Sequence, residues 1–477
     1  MPTKKKAAAK PAAKGNVKAA ETPEGKKSVW LTYSPTEKKE LEKLAKGYRA
    51  FLTACKTERE SVTETIRQAE AAGYVELSRA TRRGRKLRPG DKVKKTIALF
   101  HIGSASLEQG LSILGAHIDS CRLDLKQNPL YEDGGLAFFD THYYGGIKKY
   151  QWVALPLALH GVVVKKDGRV VEVKLGEGED DPVFCVTDLL PHLAQEQMEK
   201  KAAKVVEGEN LDVLVGSLPL AKKEKDAVKF GVLALLKEQY GISEDDFLSA
   251  ELSLVPAGRA REMGFDRSLI LGYGQDDRVC AYTSLAAMLE VNAVKRSACC
   301  LLVDKEEIGS VGATGMQSRF FENSLAELMA AAGVSGEIAL RRALAGSKML
   351  SSDVSSAYDP LYASAFDKKN VAYLGGGLVL NKFTGARGKS GSNDANAEYL
   401  AELRAMFDKH RVRFQTAELG RVDLGGGGTI AYIMSLYGMQ VIDCGVAVSS
   451  MHAPWEVTSK VDVYEVTKGY KAFLREA

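Results

Sequence analysis

At 477 residues with 45% hydrophobic side chains, the chain is too long for one average domain and has ample material for a large core. Its formal net charge of +5 is small for that length, and a Lys-rich N-terminal run supplies much of the excess, so no nucleic-acid partner is expected. No apolar stretch is long enough to span a bilayer, which argues against a membrane partner, and the basic N-terminal run leads into Ala, Lys and Gly rather than the apolar core of a signal peptide. The seven cysteines show neither CxxC pairing nor an even count, and Cys299, Cys300 and Cys444 lie in apolar runs, so a reducing cytoplasm is the expected location.

Residues 1–28 carry almost no large apolar side chains and read as a disordered Lys/Ala-rich tail, because they bury too little surface to offset ordering. Ser34-Pro35-Thr36-Glu37 then reads as a helix start, with Ser34 as cap, Pro35 in the first turn and Glu37 three residues after the cap. Leu41, Leu44, Tyr48, Phe51 and Leu52 form the buried stripe of that helix. An apolar run, Leu111 to Ala116, leads into His117-Ile118-Asp119. Residues 130–250 differ in texture, with β-rich pieces at Trp152 to Val164 and Val170 to Leu175 and a turn at Lys166-Asp167-Gly168; they read as an insertion.

After the insertion, strand-like and helix-like runs alternate: Ser297 to Val303, Ser324 to Ala332, Val371 to Leu374, Ala395 to His410 and Met439 to Val446. Alternation of this kind predicts an α/β fold, a mainly parallel sheet flanked by helices, formed by 29–129 together with 251–477.

The chemistry gathers around those runs. Asp304-Lys305-Glu306-Glu307 follows the strand-like Ala298 to Val303, where a rigid loop can aim one Glu at a cation and leave the other to accept a proton. A solvated charge pair explains Glu-Glu taken alone, so partners are needed. His117 could ligate a metal while Asp119 holds its ring, as a carboxylate two residues along an extended segment reaches the same side. Asp276-Asp277 precedes a helix-like stretch, Val279 to Leu289; one of the two suits a helix cap and the other suits a carboxylate bridging two cations. Asp353 and His452 complete the set, each ordinary alone.

Two glycine-rich segments, Gly425 to Gly428 and Gly309 to Gly315, invite a nucleotide-binding reading, but neither spells the expected fingerprint. Close backbone approach to a substrate is the better role for them.

In chain order the pattern is His-x-Asp, Asp-Asp, Glu-Glu, Asp, His, joined by Asp188 to His192, Glu251 to Leu254, Gly428 to Ala431 and Ser450 to His452. From about Val29 onward the chain resembles the aspartyl aminopeptidase-type metallopeptidases, dinuclear zinc exopeptidases. The resemblance implies that His117 and Asp353 hold one metal, Glu307 and His452 the other, that Asp276 bridges them and that Glu306 is the general base. It implies two Zn²⁺ per subunit, with Mn²⁺ or Co²⁺ suiting the same oxygen-rich ligands. It identifies 130–250 as a dimerisation domain from which His192 projects into a neighbouring subunit's site, and it implies dimers assembling into a dodecamer. The implied reaction is hydrolysis of the N-terminal residue from a peptide with a free N-terminus. A related dinuclear-metal amide hydrolase, a deacylase or carboxypeptidase, is the alternative, and a scaffold that has lost catalysis is a third. Lys382, in the segment Gly376 to Phe383, is the candidate for an acidic side-chain preference, although this segment departs from the family's pattern.

Overall fold

The computed structural model describes residues 28–79, 86–88, 90–221, 225–385 and 387–477, so all but Ser28 of the expected N-terminal tail lies outside the described residues. Three sheets organise the rest. The largest has ten strands, and its centre is parallel: Ser297–Val303, Leu111–His117, Lys348–Ser351 and Gln440–Gly445, in that spatial order. The first two are buried along their whole length, which is why they read as continuous apolar runs rather than as alternating ones.

Side chains leave those strands in alternation and build a core on each face. Ala298, Cys300 and Leu302 join Leu114 and Ala116 beneath the helices Pro35–Ala54, Gln275–Glu290 and Lys460–Glu476. Cys299, Leu301 and Val303 join Leu111 and Ile113 against Phe320–Ala331 and Glu337–Ala345. The helix at Pro35–Ala54 starts as its sequence predicts. Ser34 and Glu37 form a reciprocal capping box, Pro35 opens the first turn, and Leu41, Tyr48, Phe51 and Leu52 are buried.

The α/β class holds, and the large sheet is parallel at its centre with antiparallel pairings on either side of it. Thr96–His101 runs antiparallel to Ser297–Val303, and Leu378–Asn381 runs antiparallel to Gln440–Gly445. The apolar pattern of a strand says that it is buried and nothing about its direction, so parallel centre and antiparallel flanks look alike in sequence. Val371 to Leu374 does not form a strand; only Ala372 bridges, to Ala357. The run at Trp152 becomes a strand only from Leu157, because Trp152 itself closes a short 3-10 turn.

A second sheet of six strands is antiparallel throughout, ordered Val213–Gly216, Leu136–Tyr144, Arg122–Asp133, Ala250–Pro256, Leu157–Val164 and Val170–Leu175. It has its own core around Trp152, Leu159, Phe139 and Leu254. This sheet begins at Arg122 and ends at Pro256, outside the expected 130–250 on both sides. The entering and leaving strands pair with each other, Leu123 opposite Leu254, so the chain passes into the insertion without a change of texture.

The third sheet has five strands and joins distant parts of the chain: Arg261–Met263, Leu269–Gly272, Glu456–Ser459, Ala447–Ser449 and Ser355–Ser356.

Candidate active site

Parallel strands end on the same edge, so the central sheet delivers three groups together. His117 is the last residue of Leu111–His117 and lies opposite Val303, from which the chain turns directly into Glu306 and Glu307. On the other side of the same strand, Lys348–Ser351 ends two residues before Asp353. Leu111–His117 therefore sits where the chain crosses from one neighbour to the other, the switch point at which open α/β sheets leave a crevice.

The third sheet supplies the remaining groups. Gly272 pairs with Glu456, which places Asp276, just beyond one strand, beside His452, in the loop before the other. His452 has a left-handed backbone (φ 63°), tolerated by few side chains, and its N–H donates to Glu456 Oε1 at 2.8 Å.

The Asp276 carboxylate stands between the two imidazoles. Its Oδ1 is 3.2 Å from His117 Nε2 and its Oδ2 is 3.1 Å from His452 Nε2. Glu307 Oε2 lies 3.5 Å from His452 Nε2, while Glu306 Oε2 and Asp353 Oδ1 lie 3.9 Å and 4.0 Å from His117 Nε2. Each ring is turned by its other nitrogen. His117 Nδ1 is 3.1 Å from the Asp119 carbonyl and 3.2 Å from Asp119 Oδ1, and His452 Nδ1 is 2.9 Å from the Gly146 carbonyl. Both Nε2 atoms thus face carboxylates, the outer-shell arrangement that fixes a metal-binding tautomer.

Asp119 does more than orient a ring. It accepts the Glu306 N–H on Oδ1 and the Glu307 N–H on Oδ2, both at 3.2 Å, and the Tyr144 hydroxyl on Oδ2 at 2.8 Å. Burial pushes Glu306 up to about 7 and Glu307 up to about 8, and it holds Asp353 well above the usual carboxylate range. Asp276 moves the other way: burial opposes its charge, but the bonds from His117 and His452 hold it well below its ordinary value.

The cluster is short of positive charge. Glu307 Oε1 and both oxygens of Asp277 are buried without a hydrogen-bond partner. One oxygen or nitrogen each from His117, Asp277 and Asp353 lies within 4.8 Å of the others, as do ligand atoms of Cys121, Glu307 and His452. Two groups of this kind, sharing Asp276 between them, fit two divalent cations in number, donor chemistry and charge.

Every expected site residue except His192 converges here. The His192 side chain is exposed and makes no hydrogen bond among the described residues. The helix-cap role expected of Asp276 or Asp277 is not realised: the helix Gln275–Glu290 has no side-chain cap, and both aspartates keep non-helical backbones joined by a cis peptide bond. Lys382 pairs with Asp394, which Lys389 also contacts at 3.1 Å.

Four residues escaped the sequence reading. Glu456 is buried, accepts the N–H groups of both Asp276 (3.0 Å) and His452 (2.8 Å), and is pushed up to about 8 by burial. Its only signal was an acidic residue four positions after His452. Tyr144, Cys121 and Asp277 join it; of these, only Asp277 stood in a motif already singled out.

Comparison with known proteins identifies the family. The sequence profile of the family described as aminopeptidase I zinc metalloprotease (M18) matches residues 51–474. A probable M18 family aminopeptidase 1 of Clostridium acetobutylicum is 59% identical over 454 residues, covering 94% of this chain and 98% of that protein. Among solved structures, an M18-family aminopeptidase from Thermotoga maritima superposes with a TM-score of 0.91 at 43% identity, covering 94% of this chain and 99% of that one. The S. cerevisiae mApe1 dodecamer matches with a TM-score of 0.74 over 91% of this chain and 97% of that one, but at 19% identity that likeness shows the fold alone. With the profile matched over most of the length and so near a relative, the chain belongs to the M18 family of zinc metallo-aminopeptidases.

Proposed function

We propose that this metallo-aminopeptidase works with two cations, one held by His117 and Asp353, the other by Glu307 and His452, with Asp276 shared between them. The observation that carries the reading is the Asp276 carboxylate, whose two oxygens each lie about one hydrogen-bond length from a different imidazole. Zinc is the cofactor that the family's description supports, and Mn²⁺ or Co²⁺ suits the same donors. When bound, the two ions supply an acidified water and a polarised scissile carbonyl.

Glu306 is the proton carrier. It is not needed as a ligand, its carboxylate faces the same space as His117 Nε2 at 3.9 Å, and burial raises its affinity for a proton above that of an ordinary carboxylate. It takes the proton of the attacking water and passes it to the leaving amine, without a covalent intermediate. Asp119 fixes the His117 ring and clamps the backbone of the Glu pair, which keeps base and ligand apart in role although adjacent in sequence.

The substrate is a peptide with a free N-terminus, whose neutral amine binds a cation or pairs with a carboxylate of the cluster. No acidic side-chain preference is assigned to Lys382, which is paired with Asp394 in a carboxylate contact shared with Lys389.

Assembly is part of the reading. The inserted sheet serves dimerisation, and the dimers build a dodecamer like the S. cerevisiae relative. Leu189, Leu190, Leu193 and Met198 are exposed apolar side chains around His192, a surface that favours burial against a second copy. There His192 donates to the oxyanion of the neighbouring site. A cytoplasmic location accords with the unpaired state of all seven cysteines. Among the described residues no helix is long and apolar enough to cross a membrane.

The test is hydrolysis of matched peptides with free and N-acetylated N-termini by zinc-loaded protein. Cleavage of the free peptides alone is expected. Cleavage only of blocked peptides would favour a deacylase, cleavage of both a carboxypeptidase, and cleavage of neither a scaffold.

A further inference from the structure

We propose that Cys121 donates its sulfur to the cation held by Glu307 and His452, adding a fourth protein donor to that pair and the shared Asp276. The inference rests on the two-cation reading above and goes beyond it by adding a soft ligand to one position only.

Cys121 lies four residues after His117, in the turn that leaves the central sheet for the insertion, and it is buried, with 4% of its surface exposed. Its Sγ, a ring nitrogen of His452 and a carboxylate oxygen of Glu307 all lie within 4.8 Å of one another. Ligands of a single tetrahedral ion stand about 3.5 Å apart when the metal bonds are about 2.0 to 2.3 Å long, so modest side-chain rotation closes the triangle. Glu307 Oε2 lies 3.5 Å from His452 Nε2, and its other oxygen, Oε1, is buried without a hydrogen-bond partner.

The surroundings hold the thiol in place. The Tyr273 hydroxyl donates to the Cys121 carbonyl at 2.9 Å, pinning the backbone. Gly145 packs against the sulfur with a left-handed backbone (φ 77°); a Cβ there would stand 2.6 Å from Cys121 Sγ and 3.2 Å from Glu307 Oε2. Only glycine lets sulfur and carboxylate approach each other at this point. The ring of His452 is oriented by the neighbouring Gly146 carbonyl, so one short loop serves all three donors.

On binding, the S–H bond of Cys121 breaks, its proton leaves to solvent and a metal–sulfur bond forms, with no change in oxidation state. The two positions then differ in kind. The His117 side offers nitrogen and carboxylate oxygen, suited to Mn²⁺ as well as Zn²⁺, while the His452 side offers sulfur in addition and favours Zn²⁺ or Co²⁺ over Mn²⁺.

The test is the near-ultraviolet spectrum of the full chain loaded with Co²⁺, together with counted ions and Zn²⁺ affinity by chelator competition, in the native protein and in Cys121→Ser. The expected result is two ions per chain, a sulfur-to-cobalt charge-transfer band that Cys121→Ser abolishes, and a weakening of one Zn²⁺ site by at least the ten- to hundredfold that loss of an outer-shell partner costs. Two ions without a sulfur band in the native protein, or a band that survives in Cys121→Ser, overturns the proposal and leaves the two-cation reading intact. Failure of the native protein to bind ions overturns both. The native spectrum alone decides if the variant does not fold.

Discussion

The two halves of the site are built differently. His117 closes a strand in the parallel centre of the sheet and has 2% of its side chain exposed, with Asp277 buried and Asp353 half-buried beside it. His452 sits in a loop with a left-handed backbone and 34% of its side chain exposed, held by Glu456 and the Gly146 carbonyl. The first half inherits its geometry from strand register; the second borrows it from hydrogen bonds between loops. The difference teaches that, on the two-cation reading, one position is enclosed and the other more exposed, so the exposed one is expected to exchange its ion faster.

Asp276 is the place to break that contrast. Asp276→Ala is expected to empty both positions and abolish hydrolysis, whereas His452→Ala should empty the open position alone, leaving about one ion per chain by metal analysis. Two ions retained in Asp276→Ala would separate the halves altogether. Next in size, Glu306→Gln should lower kcat by about 10² to 10⁴ with both ions still bound, since proton transfer is lost and ligation is not. Loss of an ion in that variant would move Glu306 from base to ligand.

Asp119→Asn sharpens the comparison. It weakens the hold on the His117 ring, so affinity at the enclosed position should fall by about ten- to hundredfold while the open position keeps its own. Equal weakening of both, measured by chelator competition, would show that Asp119 acts through the Glu pair and not through the ring.

The smallest effect lies outside both halves, where the insertion meets the helix Glu58–Ala71. His160, on a strand of the inserted sheet, is 2.9 Å from Glu60 Oε1 and 3.2 Å from Glu177 Oε1. Burial opposes charge on Glu60, but His160 holds it down at about 2; burial likewise opposes charge on His160, but the two carboxylates hold it above its ordinary value. The share from Glu60 is present above about pH 4.5 and is lost as pH falls toward about 2; the share from His160 is present below about pH 6.5 and is lost as pH rises through its raised value. The melting-temperature gap between the native protein and His160→Gln should therefore be widest between about pH 4.5 and 6.5. A gap independent of pH would make the contact one of packing alone.

Much of the site was legible because its ligands follow apolar runs. His117, Glu306, Glu307 and Asp353 each stand at or just after a buried strand, where an acidic or basic residue has no packing role. Glu456 and Tyr144 were not legible, because each opens or closes a strand and acts on a partner outside the strands of its own sheet, 180 residues away for Glu456 and in the loop after His117 for Tyr144. Asp277 was mistaken for a possible helix cap because aspartate before an apolar helix is ordinary, and only its unpaired, buried carboxylate separates the cases. Strand direction was equally hidden. An antiparallel flank such as Thr96–His101 is buried at every residue and carries the same apolar signature as its parallel neighbours.

Tyr144 ends a strand of the inserted sheet, yet its hydroxyl reaches the one aspartate that grips the backbone of Glu306 and Glu307. That hydroxyl ties the inserted sheet to the carboxylate that holds the Glu306 and Glu307 backbone. A twist of the outer unit would therefore reach the backbone of Glu306 and Glu307 through Tyr144 and Asp119, and His452 through the Gly146 carbonyl two residues further on.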